Sequence, residues 1–194
     1  ASLTKLMTAY VVFSALRERK LTLAQTLPVS LRAGEERKGG GSLMFIEPRM
    51  KVTVDELLHG MIIQSGNDAS IALAEALGGS EDVFAQMMNK EAQRMGLANT
   101  HFTNSTGLPN AQHYSTARDL SQLAAALIRE FPEYYPLYSL REYTFNNIKQ
   151  ANRNRLLALD PTMDGVKTGH TESAGFCLVG SSKRGTRRLI SVVT

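Results

Sequence analysis

Three short groups of residues carry a hydroxyl, an amine or an amide at spacings that chemistry can use. The first is Ser2-Leu3-Thr4-Lys5. On a helix Lys5 lies one turn from Ser2 on the same face, so its amine can reach the Ser2 hydroxyl. A serine is a poor nucleophile until a neighbour takes its proton. A lysine does so when burial or a nearby cation holds it neutral. A helix start also aims free backbone N–H groups and the helix dipole at developing negative charge. The second group is Ser65-Gly66-Asn67, a hydroxyl able to relay a proton and an amide able to bond both a lysine and a substrate carbonyl. The third is Lys167-Thr168-Gly169-His170, where a lysine and a hydroxyl on a strand make a carboxylate-binding pair. Gly169 is expected to leave room for a substrate backbone to lie alongside. Each group alone has an ordinary alternative: an N-capped surface helix, a helix–turn–helix break, and an edge strand protected by an exposed lysine.

The elements that must position these groups can be read from periodicity. Leu3, Leu6, Met7, Tyr10, Val11 and Ala15 recur at helical spacing from Ser2 to about Lys20. Residues 21–51 read as irregular, with Gly39-Gly40-Gly41-Ser42 marking a flexible loop or a close backbone approach. Thr53-Val54-Asp55-Glu56 matches a capping box opening a helix through Leu57, Leu58, Met61 and Ile62, which must break near Ser65-Gly66. A further helix runs from Asn67 to about Ala76 and stops at Gly78-Gly79. Ser80 caps another that ends at Gly96, and Ser115 or Thr116 opens one to about Arg129, after a polar, turn-rich loop over residues 99–113. Tyr143 to Phe145, Gly165 to Thr168, Gly175 to Ser182 and Arg188 to Val193 read as strands. Helices first and strands last imply an α+β fold, with an antiparallel sheet.

The remaining chemistry-bearing residues exclude more than they add. His59, His101, His113 and His170 show no metal-ligand spacing, so neither a metal nor another cofactor is expected. Cys177 sits in the apolar run Phe176 to Val179 and reads as a core thiol, and Asn104-Ser105-Thr106 reads as a turn rather than a glycosylation site. With 194 residues, 43% hydrophobic and 21% charged, the chain has material for one packed core. The net charge of +4 is scattered, with no aromatic residues interleaved, so nucleic acid is not an expected partner. No apolar run of membrane-spanning length is present.

The order and separation of the three groups carry more than any one of them. S-x-x-K, then S-x-N, then K-T-G is the signature of the penicillin-recognising serine enzymes. The stretches Ala1 to Thr8, Gln64 to Ala69, Asn99 to Phe102, Tyr114 to Asp119, Asn152 to Asn154 and Asp164 to Thr171 resemble the low-molecular-mass D-alanyl-D-alanine carboxypeptidases of bacteria along essentially the whole chain. The resemblance implies a β-lactamase/transpeptidase-like domain over 1–194, a helical cluster packed on an antiparallel sheet whose N-terminal strands lie outside the sequence. It implies that Ser2 attacks the carbonyl between two terminal D-alanines and that Lys5 is the base. Ser65 and Asn67 complete the proton network and hold the acyl amide. Lys167 and Thr168 bind the terminal carboxylate, with Lys167 also coupled to Ser65. The N–H groups of Ser2 and His170 form the oxyanion hole, Gly66 and Gly169 permit the backbone geometry, and Arg153 assists carboxylate binding.

The implied partners are peptidoglycan stem peptides and β-lactam antibiotics, with membrane contact only through a segment beyond these residues. The implied location is the periplasm or the extracytoplasmic face of the bacterial inner membrane. Thr106 stands where some members of the resembled family carry a histidine, so that role does not transfer. The family's downstream carboxylate-site arginine would fall beyond Thr194. A class A β-lactamase would need a glutamate for its deacylating water, and no matching loop is found between Ser65 and Lys167. A D,D-endopeptidase cutting crosslinks and a non-catalytic penicillin-binding sensor remain the alternatives.

Overall fold

The computed structural model describes all 194 residues. A 3₁₀ turn over Ser2–Thr4 runs into helix α1 (Lys5–Arg17), followed by strand β1 (Thr26–Pro28) and helix α2 (Leu31–Glu35). Strand β2 (Lys51–Thr53) leads directly into α3 (Val54–Ile63), and then come α4 (Asn67–Gly78), α5 (Glu81–Arg94) and α6 (Ala117–Glu130). Strands β3 (Glu142–Phe145) and β4 (Ile148–Ala151) form a hairpin, and a single turn, α7 (Leu156–Leu159), precedes β5 (Met163–Thr171), β6 (Gly175–Arg184) and β7 (Arg187–Val193). The last three make an antiparallel sheet in the order β5-β6-β7. The α+β expectation therefore holds. No helix is long and apolar enough to cross a membrane.

Local chemistry explains most boundaries. Thr53 accepts from the Glu56 N–H while the Glu56 carboxylate accepts from the Thr53 N–H, the reciprocal pairing of a capping box. Ser80 and Thr116 cap α5 and α6 through their hydroxyls. Gly79 ends α4 in the left-handed conformation, φ 75°. Helix α1 has no polar face: from Lys5 to Leu16 only Ser14 is not buried. A helix apolar all round must be surrounded, and α1 is packed by α3, α4, α5 and α6. Its N-terminal turn meets β5 and β6, which brings the start of the sequence against its last third.

Two stretches differ from the sequence expectation. Residues 21–51, expected to be irregular, contain β1 and α2; β1 pairs with β2 with Leu27 opposite Val52, both buried. A three-residue ladder is too short to show a period. Strand β4 was likewise not expected. Its turn is Asn146-Asn147, with φ of 47° and 63°, the left-handed pair that a tight hairpin needs and asparagine tolerates.

Candidate active site

Ser2 sits in the 3₁₀ turn that precedes α1, rather than in the helix proper. Lys5, the first residue of α1, is 2% exposed, and its Nζ lies 2.9 Å from Ser2 Oγ, 2.7 Å from Asn67 Oδ1 and 3.0 Å from the Thr106 carbonyl oxygen. Burial holds the Lys5 amine well below the ordinary lysine range, and the charge of Lys167 pushes the same way. A neutral amine has two N–H groups and one lone pair. With the N–H groups given to Asn67 and Thr106, the lone pair is left for the Ser2 hydroxyl proton, which is the arrangement a base requires.

Ser65 and Asn67 come from the break between α3 and α4. Ser65 has φ 61° and is buried, so the side chain that needs a special backbone conformation is the serine. Gly66, expected to supply that freedom, has φ −59°. What Gly66 permits is close approach: a Cβ there would lie 2.9 Å from Asp68 Oδ1 and 3.0 Å from the Met44 nitrogen. Asp68 accepts N–H bonds from Met44, Phe45, Ile46 and Ala69, tying the segment after the glycine tract to the start of α4. That segment closes over the site: the Ser42 carbonyl accepts from the Asn67 N–H at 2.7 Å, and a Cβ on Gly41 would lie 2.5 Å from Asn67 Nδ2.

Strand β5 supplies the third group, with one correction. Lys167 and Thr168 were expected to face a carboxylate together. Successive residues on a strand point to opposite faces, and here Lys167 shares the core face with Val179 while Thr168 faces the cleft. Lys167 Nζ lies 2.9 Å from Ser65 Oγ and donates to the Thr168 carbonyl at 3.0 Å. Burial pushes its amine down to about 7, helped by the charge of Arg153. Neither lysine is paired with a carboxylate, and both lie beneath the cleft rather than on its wall.

Gly169 also packs against the nucleophile. Its missing side chain makes room for the nucleophile's own turn: a Cβ there would stand 3.0 Å from the Ser2 nitrogen, 3.1 Å from Ala1 Cβ and 3.2 Å from the Leu3 nitrogen. The same closeness sets β5 against the turn that carries Ser2.

The cleft over these groups has a volume of about 820 Å³. Ser2, Ser65, Asn67, Thr168, Gly169, His170 and Arg153 all line it, so every residue expected at the site, apart from Gly66 and the two recessed lysines, is on its wall. Arg153 is exposed there and donates from Nε to the Gln64 carbonyl. Asp68 and the Thr106 carbonyl were not anticipated; Gly41 was expected only as part of a glycine tract marking a flexible loop or a close backbone approach, and it makes such an approach to Asn67. An acid in the first turn after Ser-Gly-Asn was the available signal for Asp68; a backbone carbonyl leaves none. Thr106 contributes through its main chain, whatever its side chain. Cys177 is buried, as expected, and no group of histidine, cysteine or acidic side chains is arranged to hold a metal.

The whole chain, residues 1–194, matches the family model described as D-alanyl-D-alanine carboxypeptidase. It is 47% identical over 197 residues to D-alanyl-D-alanine carboxypeptidase DacC of Escherichia coli, a match that uses all of this chain and 49% of that protein. It is 46% identical over 196 residues to DacA of Haemophilus influenzae, covering all of this chain and 50% of the relative. The chain thus spans about half the length of the curated relatives it matches. Among solved structures, penicillin binding protein 5 from Haemophilus influenzae superposes with a TM-score of 0.97 at 44% identity, covering all of this chain and 57% of that one. Penicillin binding protein 6B from Escherichia coli gives 0.94 at 44% identity, covering all of this chain and 62% of its own. On the family match over its full length, this chain belongs to the D-alanyl-D-alanine carboxypeptidase family.

Proposed function

We propose that residues 1–194 form one penicillin-binding catalytic domain and carry the centre of a serine carboxypeptidase that removes the terminal D-alanine from peptidoglycan stem pentapeptides. The observation that carries this reading is the buried Lys5 amine, depressed in basicity and held 2.9 Å from Ser2 Oγ. Lys5 takes the Ser2 proton as Oγ bonds to the penultimate D-alanine carbonyl carbon. The Ser2 and His170 N–H groups receive the oxyanion, each worth about 10²–10³ in rate. The C–N bond then breaks, and the amine of the departing D-alanine takes the proton that Lys5 removed from Ser2. Water, deprotonated by Lys5, hydrolyses the ester. Asn67 Nδ2 holds the acyl amide. Thr168 and Arg153 grip the terminal carboxylate, while recessed Lys167 contributes charge from below and keeps Ser65 oriented.

β-Lactams present a carbonyl and a carboxylate in the same relation and acylate the same serine. Because peptidoglycan lies outside the cytoplasmic membrane, the action is assigned to its extracytoplasmic face or the periplasm. The relatives compared above are named carboxypeptidases, and no feature of the cleft favours the endopeptidase or sensor alternatives.

Intact mass after incubation with benzylpenicillin should show one covalent adduct, lost in Ser2→Ala. Release of D-alanine from a stem pentapeptide should accompany it. An adduct that survives Ser2→Ala would remove the nucleophile, and release of monomers from crosslinked dimers without D-alanine release would replace the carboxypeptidase reading by the endopeptidase one.

A further inference from the structure

One wall of the cleft is a face of the β5–β6 pair. Thr168 and His170 lie on it with their cross-strand partners Leu178 and Phe176. Phe176 is 84% exposed. An aromatic ring left in water at the rim of a cleft is an uncovered apolar surface of the kind that marks binding sites. It is braced: its ring centroid is 4.3 Å from that of His170, with 31° between the planes. One face is therefore occupied while the other looks outward.

The direction of the strand says what would meet that face. In the acyl-transfer reading above, on which this inference rests, the terminal carboxylate lies at Thr168 and the reacting carbonyl at the His170 N–H. Two residues of strand separate them, about 7 Å. A substrate laid along β5 therefore continues, on the acyl side of the broken bond, past His170 toward Thr171 and Phe176. Leu108 lines the cleft and shares an adjoining hollow with Thr171, so this end has apolar surface from a second segment.

We propose that Phe176, braced on His170, is a specificity-determining residue that receives an apolar or aromatic group on the acyl side of the scissile bond. The test uses the full protein and two penicillins that differ only there: benzylpenicillin, with a phenylacetyl group, and 6-aminopenicillanic acid, with a bare amine. Second-order acylation constants are measured for wild type, Phe176→Ala and Phe176→Tyr. An aromatic contact of ordinary strength predicts that Phe176→Ala lowers the ratio of the two constants roughly 3- to 10-fold, while Phe176→Tyr preserves it. A ratio unchanged in Phe176→Ala, or lowered equally by Phe176→Tyr, overturns the proposal. Failure of the wild type to form an adduct with either compound would instead refute the acyl-transfer reading beneath it.

Discussion

Replacing Gly169 by alanine sets one methyl group against the main chain of the nucleophile's turn. The three nearest atoms would be the Ser2 nitrogen at 3.0 Å, Ala1 Cβ at 3.1 Å and the Leu3 nitrogen at 3.2 Å. Ordinary carbon contacts begin near 3.5 Å, so the turn must retreat by a few tenths of an ångström. None of these atoms is the end of a flexible side chain, which leaves no cheap relief. The retreat moves Ser2 Oγ away from Lys5 and opens the gap between the Ser2 and His170 N–H groups. Misplacement by about 1 Å costs about 10²-fold in well-oriented reactions, so a shift of this size predicts a loss of roughly 4- to 10-fold in acylation. Overpacking at one methyl costs about 1–3 kcal/mol of stability. Gly180→Ala is the matched control on the same sheet: its nearest neighbours, Met163 Cε and Ser191 Oγ at 3.2 Å, are side-chain ends that can swing aside. Rapid-quench mass spectrometry with benzylpenicillin, alongside thermal unfolding, separates the two effects. If Gly169→Ala acylates within about twofold of wild type, the close packing of β5 on the turn does not set the reaction geometry.

Lys5→Arg should lower acylation by at least about 10³-fold with the fold retained, because a guanidinium stays protonated; acylation within about tenfold of wild type removes Lys5 as the base. In the wild type, acylation should rise with pH as Lys5 loses its proton, with an inflection well below 10.5. For a carboxylate-bearing donor it should then fall above about 7, as Lys167 is neutralised. Because Lys167 has a lower value folded than unfolded, its stability contribution is full above 10.5 and declines as pH falls through about 7. A pH–rate profile with no descending limb would contradict the assigned charge on Lys167. Asp68→Ala strips the acceptor from four N–H groups, three in the segment over the cleft and one in α4. At about 1–3 kcal/mol for each one left unpaired, the loss should exceed about 3 kcal/mol by urea denaturation, with Asp68→Asn recovering part of it. A change below about 1 kcal/mol would show that water replaces the carboxylate.

Much of this architecture is legible in the sequence because it is local. The Thr53 capping box, the Ser80 and Thr116 caps and the Gly79 stop follow from short-range hydrogen bonding, and the structure has them where the residues suggest. The three groups of the site are also legible, since Ser2 and Lys5 are one turn apart and the other two mark a helix break and a strand. What the sequence does not contain is the direction of side chains relative to distant surfaces. Lys167 faces inward because β5 lies over Ser65, and Gly169 is small because Ser2 lies against it. The clamp from Asp68 to Met44, Phe45 and Ile46 joins residues more than twenty positions apart, with no periodicity to announce it.

The Lys5 contacts reach 62 positions to Asn67 and 101 to Thr106, and Lys167 reaches 102 positions to Ser65. During synthesis the nucleophile emerges well before β5, the strand that packs against it. Until that strand docks, the site lacks Lys167 and the His170 N–H, so on the proposed mechanism a partly made or locally opened chain is chemically silent. On the proposed mechanism, labelling by a β-lactam would then count only molecules in which β5 has met the nucleophile's turn. The antibiotic would then be a clock for the docking of β5 as well as a reporter of the proposed catalysis.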